Sequence, residues 1–256
     1  MNPFEFIICV LAGLGAGVGT GIAGMSASAV ITPMLVTFLH ANAYDAIGVA
    51  LASDVLASAV SAYTYGKNKK IDLKNSYIML ISVLIFTLLF SWISKQVPHG
   101  TLGGMSVIGT LLVGVKFLFK PVMSTKTTLS GDSPKRRLAL SILCGALIGS
   151  ICGFVGAGGG MMMLLLLTSA LGYELKTAVG TSVFIMTFTA LVGAGGHFAL
   201  GGPPNLPRLA VCALSTLLFA RLSSLLANKA SAKTLNRVVG GVMVAFGAVM
   251  LIFQFI

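Results

Sequence analysis

Residues 13–28 read GLGAGVGTGIAGMSAS, and residues 145–160, 132 positions later, read GALIGSICGFVGAGGG. When the two halves of the chain are superposed without gaps at this offset, glycine repeatedly falls on glycine. The coincident pairs are Gly13 with Gly145, Gly17 with Gly149, Gly21 with Gly153, Gly24 with Gly156, and Gly48 with Gly180. The chain is therefore an internal duplication, which is how many secondary transporters are built, with the solute bound where the repeats meet.

The composition predicts a membrane protein. Hydrophobic residues make up 56% of the sequence and charged residues 9%, against about 45–50% and about 25% in soluble domains. Apolar runs of about 20 residues, the length of a membrane-spanning helix, recur throughout. Residues 1–5 carry an acid and no base, unlike a signal peptide, so we expect the first run to belong to the mature protein. We predict a multi-pass protein of the cell inner (plasma) membrane.

Several classes of function are disfavoured. The net charge of +11 comes from bases in short loops, where they set the orientation in the bilayer and do not indicate a nucleic-acid partner. Three scattered histidines form no catalytic pattern. Four cysteines lie in apolar stretches without the spacing of metal or redox sites: Cys9, Cys144, Cys152 and Cys212. We therefore predict no enzyme, no catalytic residue, no metal site and no cofactor.

Apolar segments between polar breaks predict an all-α fold with five helical elements in each half. The expected elements of the first half are residues 4–22, 27–40, 44–65, 75–95 and 102–119. Those of the second half are residues 138–153, 159–172, 176–198, 207–227 and 235–255. The second element of each half, at about 14 residues, is too short to cross a bilayer comfortably. The chain divides into a first transmembrane repeat (1–120), a cytoplasmic linker (121–137) and a second transmembrane repeat (138–256).

The positive charges predict that the two repeats have inverted topology. The loop after the third element is basic in the first half, whereas its equivalent, residues 198–207, has no base. The loop after the fourth element shows the reverse, with a basic cluster in the second half. Because bases mark cytoplasmic loops, equivalent loops lie on opposite sides of the membrane and both chain ends lie outside. A non-inverted duplication with scattered charges is the alternative.

A glycine-rich or small-residue break separates the first two elements of each half. We expect two helical hairpins whose tips lie within the membrane and meet near the midplane. Glycines expose backbone N–H groups there, and the following helix presents its positive N-terminus, a combination suited to an oxyanion. The predicted substrate-binding residues are Thr20, Gly24, Ser26, Ser28, Gly156, Gly158, Gly159, Gly160, Thr181 and Ser182.

Some of these features have structural alternatives. Spaced glycines such as Gly13 and Gly17 are more typical of close helix packing, whereas three successive glycines at 158–160 are poor helix formers and indicate a functional break. Thr181 and Ser182 are equally well explained as hydroxyls bonded to their own helix. We interpret His40 and His197, near the ends of elements, as hydrogen-bonded imidazoles at the membrane interface.

Asp54 is the acid that lies well inside an apolar element. It is about ten residues from the outer end of the third element, or about 15 Å along a helix, which places it close to the midplane. Its repeat equivalent is Met186. A carboxyl group at that depth is costly and is a candidate for carrying a coupled proton; a structural hydrogen bond is the alternative.

The paired glycine-rich hairpins, the Ala-x-Gly-Thr-Ser element at 178–182 and the two-fold repeat resemble the TauE/SafE sulfite exporter family, also called the toluene sulfonate uptake permease group. The likeness covers essentially the whole chain and is most specific over residues 153–182. It implies a membrane carrier for sulfite, organosulfonates or related small sulfur-containing anions. The chain departs from the family pattern at residues 25–28, where the family favours a glycine run. It departs again at Leu165, whose repeat equivalent Pro33 keeps the expected proline.

We therefore predict a secondary transporter of small sulfur-containing anions that works by alternating access, with proton coupling at Asp54 as a hypothesis. An anion channel, or a carrier for another small organic anion or a metal ion, is the alternative. The expected partners are a small anionic substrate and the lipid bilayer, without nucleic acid. The sequence leaves the oligomeric state open, a homodimer included.

Overall fold

The fold is known from a computed structural model, which describes residues 1–94, 134–155, 159–173 and 175–227, with isolated positions between 96 and 119 and between 229 and 248. As predicted, the regular elements in these ranges are α-helices. They are α1 (Pro3–Ala23), α2 (Ser28–Leu39), α3 (Ala43–Lys67), α4 (Leu73–Ser94), α5 (Pro134–Val155), α6 (Gly159–Ser169), α7 (Leu175–Gly201) and α8 (Leu206–Ala227).

The predicted elements that fall in the described ranges are confirmed, and their ends lie within a few residues of the expected ones. The start of α5 differs most, because the helix begins at Pro134 and includes the last residues of the expected linker. Proline suits a first helical position, where its missing N–H has no intrahelical partner. The fifth elements, 102–119 and 235–255, lie almost entirely outside the described residues, and the domain boundaries remain a prediction.

Helix length separates two kinds of element. In the described part of the chain, five helical segments are long and apolar enough to cross a membrane: Pro3–Ala23, Ala43–Lys67, Ser76–Ile93, Lys176–Gly201 and Leu206–Ala227. By contrast, α2 has 12 residues and α6 has 11, against the roughly 20 that a spanning helix needs. Helix α5 has 22 residues, but its apolar part, Leu138–Gly153, is shorter. The expectation of a short second element in each half is confirmed.

Short turns connect the first three helices. Pro3 opens α1, and Gly24 ends it in the left-handed conformation, with φ of 62°. Three residues then separate α2 from α3, where the side chain of Asn42 accepts a hydrogen bond of 2.9 Å from the Tyr44 N–H and caps the helix. These turns fold α2 back beside α1 and bring the buried middle of α3 against the turn that follows α1.

The spaced glycines of α1 let it pack closely along α8. A Cβ atom on Gly13 would lie 2.5 Å from Ser215 Cβ, and one on Gly17 would lie 2.6 Å from the Thr216 carbonyl oxygen. Such distances are far below ordinary contact, so the two backbones can approach only because these positions carry no side chain. Successive glycines meet successive turns of α8, and the two helices therefore run parallel.

The second half repeats this contact with α5 and α4. A Cβ atom on Gly145 would lie 2.7 Å from Ser82 Cβ, and one on Gly149 would lie 2.5 Å from the Val83 carbonyl oxygen. Ser82 and Val83 precede the residues that α1 meets on α8 by 133 positions. The first helix of each half thus packs against the fourth helix of the other half.

The third helices of the two halves, α3 and α7, pack against each other in opposite directions. Gly48 near the start of α3 lies against His197 near the end of α7, and Gly180 near the start of α7 lies against Tyr65 near the end of α3. Tyr65 and His197 are equivalent at the repeat offset. The packing is compatible with inverted repeats, while the orientation of each half in a bilayer remains a prediction.

Candidate functional site

The break between α1 and α2 is a tight turn buried inside the protein. Gly24 adopts positive φ, which glycine does without the penalty of a side chain. It also lies against α7, because a Cβ atom on Gly24 would be 2.5 Å from Ser182 Oγ. Ser26 and Ser28 are buried beside it. Irregular backbone at membrane depth has to be enclosed in this way or line a cavity.

The breaks of the two halves come into contact at Gly160, in the first turn of α6. A Cβ atom there would collide with the Gly24 carbonyl oxygen and with Met186 Sδ, and would lie 2.8 Å from the Ser26 nitrogen. The backbone of α6 therefore approaches the first break as only a glycine permits. Of the other residues predicted in the second break, Gly159 begins α6, whereas Gly156 and Gly158 lie outside the described residues.

A carboxyl group is buried against the first break. Asp54 lies near the middle of α3 and is 1% exposed. Ser26 Oγ donates a hydrogen bond of 2.7 Å to Asp54 Oδ2, and the Ala27 N–H also faces the carboxyl group. Asp54 Oδ1 accepts no hydrogen bond of full geometry from the described residues. Asp54 thus directs its carboxyl group at the N-terminus of α2.

Ser28 extends this contact into a chain of three polar groups. Its hydroxyl is hydrogen-bonded to that of Ser26. Because a serine hydroxyl has a single hydrogen and that of Ser26 is donated to Asp54, Ser28 has to be the donor to Ser26. Both hydrogen bonds therefore point the same way, from Ser28 to Ser26 and from Ser26 to the carboxylate, and they stabilise negative charge on Asp54.

Sequence reasoning predicted these residues but did not pair them. It assigned Ser26 and Ser28 to the substrate and Asp54 to a proton, whereas the structure joins all three. The repeat equivalents, which have neither hydroxyl nor carboxyl groups, are Gly158, Gly160 and Met186. All three positions are polar in the first half and lack a hydroxyl or carboxyl group in the second. This shared difference is the feature of the sequence that could have indicated an interaction between the three side chains.

The remaining predicted hydroxyls make structural hydrogen bonds. Thr20 and Ser182 donate to carbonyl groups of their own helices, over 3.0 and 2.8 Å. Thr181 accepts a 3.0 Å hydrogen bond from the Asp72 N–H, in the connection between α3 and α4. The bond of Ser182 corresponds to the alternative of a hydroxyl bonded to its own helix, whereas the partner of Thr181 lies outside its helix. A direct role in binding substrate remains a prediction for each of them.

The two histidines differ in position. His40 is exposed at the end of α2, whereas His197 is 2% exposed and lies in the interior of the protein near the end of α7; its depth in a bilayer remains a prediction. Its ring packs 4.2 Å from the ring of Tyr44, measured between centroids. The helix continues to Gly201, three residues beyond the end expected at residue 198. The repeat equivalent of His197, Tyr65, donates a 3.2 Å hydrogen bond to a carbonyl oxygen of α1.

The sequence model of the family described as "Sulfite exporter TauE/SafE" matches residues 9–250. The chain belongs to the TauE/SafE sulfite exporter family. This TauE/SafE protein is 23% identical over 217 residues to the "Probable membrane transporter protein YunE" of Bacillus subtilis (strain 168). The aligned region covers 77% of this chain and 80% of that protein. The chain is 44% identical over 62 residues to the "Probable membrane transporter protein YdhB" of the same organism, over 24% of this chain and 25% of that protein. No solved structure matches the chain.

The family and the helices together identify a multi-pass membrane transporter. The family match spans both repeats, and the helices that can cross a membrane come from both halves of the chain. The resemblance found in the sequence motifs is confirmed. Both relatives are named as transporters and neither as an enzyme.

Proposed function

We propose that this TauE/SafE protein carries small sulfur-containing anions, such as sulfite or an organosulfonate, as a secondary transporter. The contact between the first break and Gly160 carries the proposal, because it brings together the glycine-rich segments of both halves beside Ser26. Hydroxyl and backbone N–H groups, with the positive end of α2, form a donor set that suits an oxyanion. The description of the family as sulfite exporters is the reason for proposing a sulfur-containing anion as the substrate.

The proposed binding site takes residues from both halves. Glycines let the backbone approach the anion, and the serine and threonine hydroxyls add hydrogen-bond donors. The assigned residues are Thr20, Gly24, Ser26, Ser28, Gly156, Gly158, Gly159, Gly160, Thr181 and Ser182. A site composed of uncharged donors binds an anion without holding it as firmly as an arginine would, which favours release on the far side of the membrane.

Alternating access is the proposed mechanism. Two close helix pairs, α1 with α8 and α4 with α5, each join one helix from each half. Rocking one pair against the other about the breaks opens the anion site first to one side and then to the other. In this scheme the protein lies in the inner membrane with both termini outside, and Asp54 carries the coupled proton.

The test is exchange of labelled anions in proteoliposomes. Liposomes that contain the protein are loaded with unlabelled methanesulfonate, and uptake of labelled methanesulfonate or sulfite is followed at equal pH on both sides. We expect saturable exchange of a sulfur anion. Absence of exchange for every sulfur anion tested contradicts the proposal, and a rate far above about 10³ per second indicates a channel instead.

A matched pair of glycine variants tests the position of the site. Gly160→Ala should slow exchange, because the added methyl group meets the Gly24 backbone and Met186 Sδ. Gly195→Ala on α7 is the control, since a Cβ atom there has no described atom within 4 Å. Equal exchange by the two variants contradicts a site at the contact between the breaks.

A further inference from the structure

We infer that the Asp54 carboxylate occupies the donors of the anion site when the transporter is empty, and that a monoanionic substrate binds only after Asp54 takes up a proton. The protein is then a symporter of one proton with one monoanion. This inference rests on the proposed function and adds to it the coupling rule, the stoichiometry and the charge of the substrate.

The geometry of the first break supports this competition. The N-terminus of α2 is the place where the sequence predicted substrate, yet the described group that lies there is the carboxyl of Asp54. Ser26 donates to one of its oxygens over 2.7 Å, while the other, fully buried, accepts no hydrogen bond of full geometry from the described residues. The Asp54 carboxylate is therefore a negatively charged group of the protein that lies where the substrate anion is proposed to bind.

Protonation of Asp54 reverses the serine chain. With the carboxylate ionised, Ser28 donates to Ser26 and Ser26 donates to Asp54, so both hydroxyl hydrogens are used. With a proton on Oδ2, Asp54 donates to Ser26 and Ser26 donates to Ser28. The hydrogen of Ser28 is then released and can be donated to a substrate oxygen. Uptake of a single proton by Asp54 thus frees the Ser28 hydroxyl from its hydrogen bond to Ser26, so that it can donate a hydrogen bond to the substrate.

Titratable groups lie on several of the helices around Asp54. The titratable side chain that interacts with Asp54 from a neighbouring helix is the Cys152 thiol of α5. The helices that pack against α3 carry further titratable groups. They are Glu5 and Cys9 on α1, Lys176 and His197 on α7, and Arg208, Cys212 and Arg221 on α8.

The charges balance over one cycle. The empty site holds the negative charge of the carboxylate, and the loaded site holds a neutral carboxylic acid and the negative charge of the substrate. Two anions at one break repel each other strongly in apolar surroundings, which excludes the ionised acid together with substrate. The proton enters with the anion from one side and leaves with it on the other. In the second half, the equivalent of Asp54 is the uncharged Met186, so one proton moves per cycle.

The experiment uses methanesulfonate, a monoanion at every pH used. Proteoliposomes receive a pH gradient of one unit with the interior alkaline, while equal potassium on both sides and valinomycin hold the membrane potential at zero. One proton per anion gives about tenfold accumulation inside, because one pH unit is a tenfold ratio of proton activity. Asp54→Asn should lower the inside-to-outside ratio of methanesulfonate from about ten to about one, because its amide donates to Ser26 as the protonated acid does but cannot release a proton.

Two further variants separate coupling from folding. Ser26→Ala interrupts the chain and should remove most of the accumulation, whereas Ser53→Ala should behave as the unmodified protein, because the Ser53 hydroxyl donates to its own helix. Accumulation that survives in Asp54→Asn, or exchange by the unmodified protein without accumulation, overturns the coupling rule and leaves the proposed function intact. Absence of exchange at equal pH overturns both.

Discussion

Gly17 and Gly149 hold equivalent positions in the two halves, and alanine at either should destabilise the protein. A Cβ atom on Gly17 would lie 2.6 Å from the Thr216 carbonyl oxygen, about 0.8 Å short of the 3.4 Å at which ordinary contact begins. On Gly149 the nearest atom, the Val83 carbonyl oxygen, would be 2.5 Å away. The obstacle in each case is backbone, which cannot rotate aside, so the helix pair has to separate.

Overpacking of this kind costs about 1–3 kcal/mol. For a chain of this size each kcal/mol lowers the melting temperature by about 2–4 °C. We therefore expect Gly17→Ala and Gly149→Ala to melt about 2–12 °C below the unmodified protein in nanodiscs, as measured by the fraction that remains monodisperse after heating. Gly195→Ala is the control and should not melt lower, because its added methyl group has no described atom within 4 Å. If all three variants melted at the same temperature, the packing of the first helix of each half against the fourth helix of the other half would be refuted.

Three further predictions test other contacts. Tyr65→Phe removes the 3.2 Å hydrogen bond to the Gly21 carbonyl and should lower the free energy of unfolding by about 1 kcal/mol, seen as a lower melting temperature in the same assay. Tyr63→Phe, at a side chain that is 72% exposed, should leave the melting temperature unchanged. Equal losses of stability in the two variants would contradict the hydrogen bond of Tyr65. Cys212 Sγ lies 3.8 Å from the Cys9 carbonyl oxygen, so a membrane-permeant oxidant should link Cys9 to Cys212, as detected by mass spectrometry of peptides, and links from Cys212 to other cysteines would argue against the pairing of α1 with α8. Reporters fused after Lys70 and after Gly202 should report opposite compartments, and the same compartment for both would exclude inverted repeats.

The sequence was sufficient to predict the helices, because their limits depend on local chemistry. Apolar runs of membrane length, interrupted by Gly24 and by Asn42, place the ends of α1, α2 and α3 close to where they lie. The spaced glycines also indicated close packing between helices. They did not say which helices meet, because a glycine shows that a neighbour is near without identifying it. The pairing of α1 with α8 is therefore a result of the structure.

The candidate site was predicted in part for the same reason. Ser26, Ser28 and Asp54 were selected singly, from a break in a repeat and from an acid in an apolar helix. Their hydrogen bonds depend on how α2 folds back against α3, which no local pattern specifies. The burial of His197 likewise depends on the contacts of α7 with Tyr44 and Gly48 of α3, which no local pattern specifies.

The most direct test of the anion site is protection of Ser28→Cys from alkylation. In a background with the four native cysteines replaced by alanine, the new thiol is treated with a small membrane-impermeant thiol reagent, with and without saturating methanesulfonate. A site between the two breaks predicts that methanesulfonate slows labelling severalfold, while sodium gluconate at the same ionic strength does not. Labelling at the same rate with and without methanesulfonate, in protein that still exchanges it, would contradict a binding site at the contact of the two halves.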